Sequence, residues 1–274
     1  MPPAREAVVS WNSYAVNGKL SVRLVRGGEP ATPWLPLAQW DAISRRSFSA
    51  NLGGMRIATD IITADMDFDG VEIHAPEVDF TFVAVATPRV NTPSLPYLAP
   101  ACILDVPLRS QYVTDDERGW CSAATTAMLC AFYAVDGDVA TVARGVFDDA
   151  YGGTGNWSYN VAYAGSLGLR ASVAYLENLD HAARLIDLGI PLGISYAWES
   201  GELERAPLER SDGHLAVLCG FAHNGDCVVN DPAAPGIRVI YPRSQLERLW
   251  LRNRGVAYVV APNGVPFEKI LARS

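Results

Sequence analysis

Over the first third of the chain, apolar and polar residues alternate in short runs. In Lys19–Arg26 the side chains of Leu20, Val22 and Leu24 fall on one face, and Asp79–Phe82 alternates in the same way, as half-buried antiparallel strands do. Asn17-Gly18, Gly27-Gly28, Gly53-Gly54 and Asp69-Gly70 separate the runs with turn chemistry, and no segment of useful length carries a helical period. Residues 1–87 are therefore expected to form an antiparallel β-sandwich. Thr87–Pro100 carries four prolines, which fix φ and withhold backbone donors, so 88–100 is expected to be an extended linker at a domain boundary.

Beyond the linker, over 101–274, the pattern becomes mixed. Ser122–Val135 is an apolar, alanine-rich stretch that predicts a helix ended by Asp136-Gly137-Asp138. A second helix is expected over Val139–Ala150 and a third from about Trp157. Ala171–Leu176, Pro191–Trp198, His214–Phe221, Cys227–Asn230 and Val256–Val260 read as strands. Ser244 to Glu247 has capping-box spacing ahead of Leu249-Trp250-Leu251, which predicts a last helix. A β-rich half followed by helices and then strands gives an α+β fold class of two domains.

Composition fits this picture: 49% hydrophobic and 19% charged residues describe a globular chain. A net charge of -8 with scattered basic residues argues against nucleic acid as a partner. No window approaches the ~18 apolar residues of a membrane span, and Met1–Glu6 does not begin a secretory signal, so the expected location is cytoplasmic, with secretion open if a signal had been trimmed. The five cysteines, at 102, 121, 130, 219 and 227, form no disulfide framework and leave at least one free thiol.

A thiol attacks carbonyls as thiolate, and a helix N-terminus with a nearby imidazolium lowers its pKa. Cys121 stands where that helix begins, after Gly119-Trp120 and before Ser122, Ala123 and Ala124. Taken alone, a cysteine here is more readily a buried core residue. His214, between the polar Asp212-Gly213 and the apolar Leu215–Phe221, is a candidate base, although an isolated histidine there would do no more than bond a loop carbonyl. Asp231, in Asn230-Asp231-Pro232, could accept the second imidazole N–H or simply make a turn. A tight hairpin on Asn224-Gly225 would set Asp231 opposite Leu218, so a wider loop or a bulge is required to bring it to His214. Gln111, ten positions before Cys121, could donate its amide to an oxyanion hole.

Val106–Gln111, Gly119-Trp120-Cys121-Ser122, Gly213-His214 and Asn230-Asp231-Pro232, in this order, resemble the bacteriocin-processing-type (family thirty-nine) cysteine peptidases, and more closely their bacterial branch that is not joined to a transporter. Gly155-Asn156-Trp157, Gly189-Ile190-Pro191 and Gln245–Leu251 extend the resemblance to about Leu104–Pro262. It implies a papain-like fold in which Gln111 builds the oxyanion hole, Cys121 attacks, His214 is the base and Asp231 orients it. No metal or organic cofactor is implied, and the implied partner is a peptide or protein substrate. Many relatives have glycine after the nucleophile, where Ser122 would crowd the oxyanion hole. The β-rich half, with Trp11, Trp34 and Trp40, resembles a sandwich that accompanies such peptidases.

Three other readings compete. The same thiol chemistry serves a deamidase, amidase or transpeptidase. Cys219, His223 and Cys227 are spaced for zinc but lack a local fourth ligand. A non-catalytic protein could bind peptide or sugar through its tryptophans, which are more often packing residues. Glu199–Arg210 reads either as a lid or as a solvated loop.

Overall fold

A computed structural model describes residues 1–88, 102–113, 119–135, 137–267 and 271. The expected linker therefore lies almost wholly outside the described residues.

The first half holds β1 (Ala4–Ser13), β2 (Gly18–Arg26), β3 (Glu29–Pro30), β4 (Leu35–Trp40), β5 (Arg45–Ser47), β6 (Ala50–Leu52), β7 (Met55–Ala58), β8 (Ile61–Phe68), β9 (Gly70–His74) and β10 (Phe80–Ala86). They form two antiparallel sheets, β10-β1-β8-β7-β6 and β3-β2-β4-β5 with β9 paired to β2. Asp69-Gly70 is a corner between sheets rather than a hairpin tip, because β8 and β9 belong to different sheets. Leu20, Val22 and Leu24 of β2 meet Ala7, Val9 and Trp11 of β1 in one core. Trp11 and Trp40 stack there, with ring centroids 5.5 Å apart.

Strand β1 is buried on both faces. Its odd positions face that core, whereas Val8 belongs to a second core shared with the other half. Asn12 and Ser10 also turn to the second half. Asn12 Nδ2 donates to Ala171 O and its Oδ1 accepts from Ala171 N, both at 2.9 Å, so one side chain imitates a strand neighbour. Ser10 Oγ accepts from Val173 N. A Cβ on Gly165 would stand 2.5 Å from the Asn12 side chain, which is why a glycine sits there.

The second half contains α1 (Cys121–Phe132), α2 (Val139–Val146), α3 (Trp157–Ser166), β11 (Leu169–Tyr175), α4 (Leu179–Asp187), β12 (Leu192–Trp198), β13 (Ser211–Phe221), β14 (Cys227–Asn230), β15 (Arg238–Tyr241), α5 (Arg243–Arg252) and β16 (Val256–Pro262). One six-stranded antiparallel sheet runs β11-β16-β12-β13-β14-β15. Leu215, Val217 and Cys219 pack with α1 and α3, while Ala216 and Leu218 pack with α4 and α5. Burial on both faces explains why Leu215–Phe221 is apolar without alternation.

Two of the expected features differ in the structure, and two elements are additional. Helix α2 ends at Val146 rather than Ala150, because Asp148 Oδ1 accepts from Ala150 N and Tyr151 N and turns the chain. The capping box does not form: α5 starts from Pro242 without a side-chain cap, and the Glu247 carboxylate instead accepts from Leu179 N at 2.8 Å, opening α4. Helix α4, capped by Asn178, and the short strand β15 were not anticipated.

Candidate active site

Helix α1 begins at Cys121 itself. Its N-cap, Trp120, has no oxygen to offer, so the first-turn N–H groups remain available to other acceptors. The Cys121 sulfur takes backbone hydrogen bonds from Ser122 and Leu215. The Ser122 hydroxyl points away from that point: it donates to Thr154 O at 2.6 Å and lies 2.8 Å from Thr154 Oγ1. Asn160 Nδ2 also donates to Thr154 O, and Thr126 Oγ1 donates to Asn160 Oδ1, so buried polar groups fix α1 against α3. Ser122 thus anchors the helix start.

His214 lies near the start of β13, opposite Tyr196 of β12. Its Nε2 is 2.8 Å from Asp231 Oδ1, and the imidazole also bonds the Cys121 thiol. With Nε2 engaged, the nitrogen turned to sulfur is Nδ1. The rings of Tyr196 and Trp198 stand edge-on to the imidazole at 5.5 and 5.4 Å and exclude water from it.

The register problem is resolved by two local features. The turn spans Ala222–Asp226, where Ala222 N bonds Asp226 O, and a bulge falls between Leu218 and Gly220. Asn230 therefore pairs with Val217. The next position, Asp231, would face Ala216, two residues from His214 on the same strand face, and such diagonal neighbours come within side-chain reach. Asp231 is fully buried, yet each oxygen is served: Tyr196 and Tyr241 hydroxyls donate to Oδ2 at 2.9 and 2.8 Å, and Ala233 N donates to Oδ1. Sequence reasoning missed Tyr196, Trp198 and Tyr241. Nothing local marks them, since the fold alone gathers them around the carboxylate.

The electrostatics follow from these contacts. Burial alone would raise the Cys121 thiol, but the hydrogen bond and charge of His214 with the two backbone donors outweigh it and hold the thiol below its ordinary value. Burial opposes the imidazolium, but Asp231 and Cys121 outweigh it and raise His214. Burial also opposes the Asp231 carboxylate, and His214 with the hydrogen bonds from Tyr241 and Ala233 keeps it ionised. The favoured state is thiolate, imidazolium and carboxylate in a row. Cys130 and Cys219, which have no such partner, are pushed by burial up to about 12.

Gln111 is brought in by the chain entering this half. Cys102–Leu104 lies along β13, with Leu104 N bonded to Cys219 O and Phe221 N to Cys102 O. That close approach requires Gly220, where a Cβ would fall 1.9 Å from Cys102 O. Gln111 N then bonds Pro232 O, next to Asp231. Its buried Nε2 lies 3.2 Å from where a Gly119 Cβ would be, beside the start of α1, and its Oε1 has no hydrogen-bond partner among the described residues.

Cys121 opens into a cleft of about 500 Å³, and both halves wall it. The second half supplies Trp120, Tyr151, Trp157, Asp212 and Gly213, and the first half supplies the β7–β8 turn, 58–61. The Asp60 carboxylate accepts from Trp157 N and Ser158 N at the start of α3, and burial raises it to about 7.

Other candidates lie elsewhere. Glu199–Arg210 is held on α5 by Glu202 pairing with Arg248 and Arg252, and by a buried Leu203, and lies outside the lining of the cleft. Cys219 and Cys227 belong to separate cores on opposite sheet faces, so they cannot share a metal ion with His223. Trp11 and Trp40 are core residues. Trp34 is 39% exposed, with Arg23 over its ring.

An α+β fold with a cysteine, a histidine and an aspartate joined beside an open cleft defines a protein of the cysteine-peptidase type. The chain belongs to the Peptidase_C39 like family, whose model matches residues 103–258, more than half its length. Among solved structures it is similar to a protein from Bacillus anthracis assigned as a C39-like peptidase, at 16% identity and TM-score 0.47, over 60% of this chain and 99% of that one. It is also similar to a double glycine motif protease from the AMS/PCAT transporter, solved with the leader peptide, at 21% identity and TM-score 0.41, over 59% of this chain and 95% of that one. No curated protein is significantly similar to the chain. Among the described residues no helix is long and apolar enough to cross a membrane.

Proposed function

We propose that the chain hydrolyses peptide or closely related amide bonds through an acyl-thioester on Cys121, with residues 101–274 as the peptidase domain and 1–87 as an accessory domain. The observation that carries this reading is the His214 imidazole, bonded on one side to Asp231 at 2.8 Å and on the other to the Cys121 thiol at a helix N-terminus.

The Cys121 thiolate attacks the carbonyl carbon. The oxyanion that forms is held by the Cys121 backbone N–H and the Gln111 side-chain amide. His214, as imidazolium, gives its proton to the leaving nitrogen as the C–N bond breaks, which frees the amine and leaves the thioester. Neutral His214 then takes a proton from water, the hydroxide adds to the thioester, and the C–S bond breaks to restore thiolate and imidazolium. Asp231 keeps the ring oriented and favours its charged form.

Purified protein and its Cys121→Ala variant are incubated with a mixed peptide library and the products read by mass spectrometry. The reading expects chain cleavage that the variant lacks. Deamidated glutamine or cross-linked products without cleavage would instead assign a transferase or amidase, and products that persist in the variant would remove Cys121 from the chemistry.

A further inference from the structure

The cleft beside Cys121 is completed by the first half of the chain. The β7–β8 turn contributes Ala58, Thr59, Asp60 and Ile61 to its lining. This turn is tied to the second half through Asp60, whose carboxylate accepts from the backbone at the start of α3.

The lining has a distinct chemistry. Its acidic members are Asp212, which is exposed, and Asp60, which is buried against the start of α3, and among the described residues it holds no lysine or arginine. Asp212 is exposed and makes no hydrogen bond or ion pair within the described structure, and it stands two residues before His214. The same lining includes Trp120, Phe147, Tyr151 and Trp157. A carboxylate that no described residue neutralises, in a cleft that also holds aromatic side chains, is an environment that a cationic side chain completes, through charge and through cation–π contact, and that a carboxylate avoids.

We propose that the Ala58–Ile61 turn is a substrate-facing wall of the Cys121 cleft, and that Asp212 selects peptides carrying a lysine or arginine side chain beside the bond to be cut. The proposal rests on the peptidase reading for its word "cut", but recognition of the cationic side chain is measurable without turnover.

The experiment uses full-length protein carrying Cys121→Ala and three fluorescent hexapeptides that differ at one central position, Lys, Leu or Glu, in an alanine–glycine background. Binding is followed by anisotropy at low and physiological salt. The lysine peptide is expected to bind about fivefold more tightly than the leucine peptide, with the glutamate peptide weakest and the differences narrowing as salt rises. Asp212→Asn should abolish the lysine advantage and Asp212→Lys should invert it. Equal binding of the three peptides, no binding of the lysine peptide at millimolar concentration, or a lysine advantage untouched by Asp212→Lys would overturn the proposal. Native protein run alongside separates the two ideas: cleavage without charge preference refutes the recognition proposal and leaves the peptidase standing, whereas charge-selective binding without cleavage does the reverse.

Discussion

The His214 imidazole and the Asp231 carboxylate meet at 2.8 Å, Nε2 to Oδ1, with both side chains buried, although strand pairing leaves them two positions out of line. The Ala222–Asp226 turn and the bulge in β13 bring Asp231 to that diagonal position, and the carboxylate is held by two tyrosine hydroxyls and one backbone N–H. A carboxylate so served stays ionised in the interior and fixes the charge of the imidazole next to it.

Asp231→Asn removes that charge while keeping the shape. His214 should then lose its proton at lower pH, and the Cys121 thiolate, deprived of imidazolium, should form at higher pH. The profile of kcat/KM against pH is expected to narrow from both sides, with a loss of tenfold or more at neutrality, since one unit of pKa corresponds to a factor of about ten. A profile with unmoved limbs would show that Asp231 does not set the charge of His214.

Gly119→Ala places a methyl group 3.2 Å from Gln111 Nε2. If that amide holds the oxyanion, the variant should lose kcat with little change in KM or melting temperature, and Gln111→Ala should lose about 10²–10³-fold in kcat. Steady-state kinetics on both variants decides the matter, and a full kcat in Gln111→Ala assigns the amide a packing role.

Asn12→Ala leaves both the N–H and the C=O of Ala171 without their side-chain partner at the junction of the two halves. Each orphaned buried group costs about 1–3 kcal/mol, so a loss of about 2–6 kcal/mol is expected by urea denaturation. Because β1 belongs to both cores, the loss should appear in one shared transition. Two separated transitions in the native protein would contradict that coupling.

Asp60 gives a pH dependence of stability. Its carboxyl titrates at about 7 when folded against 3.8 in the unfolded chain. Between those values the folded state keeps a proton that the unfolded state releases, so the contribution of Asp60 to stability is largest at acid pH and falls as pH rises through the window. Asp60→Asn cannot ionise and still accepts from Trp157 N. Its melting temperature should drop less than that of the native chain between about pH 5 and about pH 8. Parallel curves for the two proteins would show that Asp60 does not titrate in this way.

The strands and helices around the site were legible where periodicity was strong. The alternation in Lys19–Arg26, the alanine-rich run after Cys121 and the apolar block after His214 each mark an element that the structure contains. The strand register was not legible, because the turn and the bulge each shift the pairing by one residue, moving Asp231 from Leu218 to Ala216, and no local residue announces either shift. Glu247 shows another limit: the capping-box spacing is present, but a buried carboxylate serves the helix it packs against rather than its own. Helix α4 could have been found, since Asn178 precedes Leu179, Ala182, Ala183 and Ile186 at helical spacing. Placement of the β7–β8 turn in the cleft depends on how the two halves dock, which local pattern does not encode.

The central claim is that Cys121 is held as a thiolate by His214, and alkylation by iodoacetamide as a function of pH, read by mass spectrometry of each cysteine peptide, tests it most directly. Cys121 is expected to react well below pH ~8.5, where an ordinary thiol titrates, while Cys130 and Cys219, pushed up to about 12, stay inert, and His214→Ala should remove the advantage. A Cys121 that titrates like a free thiol, or reacts equally fast in His214→Ala, would contradict the account.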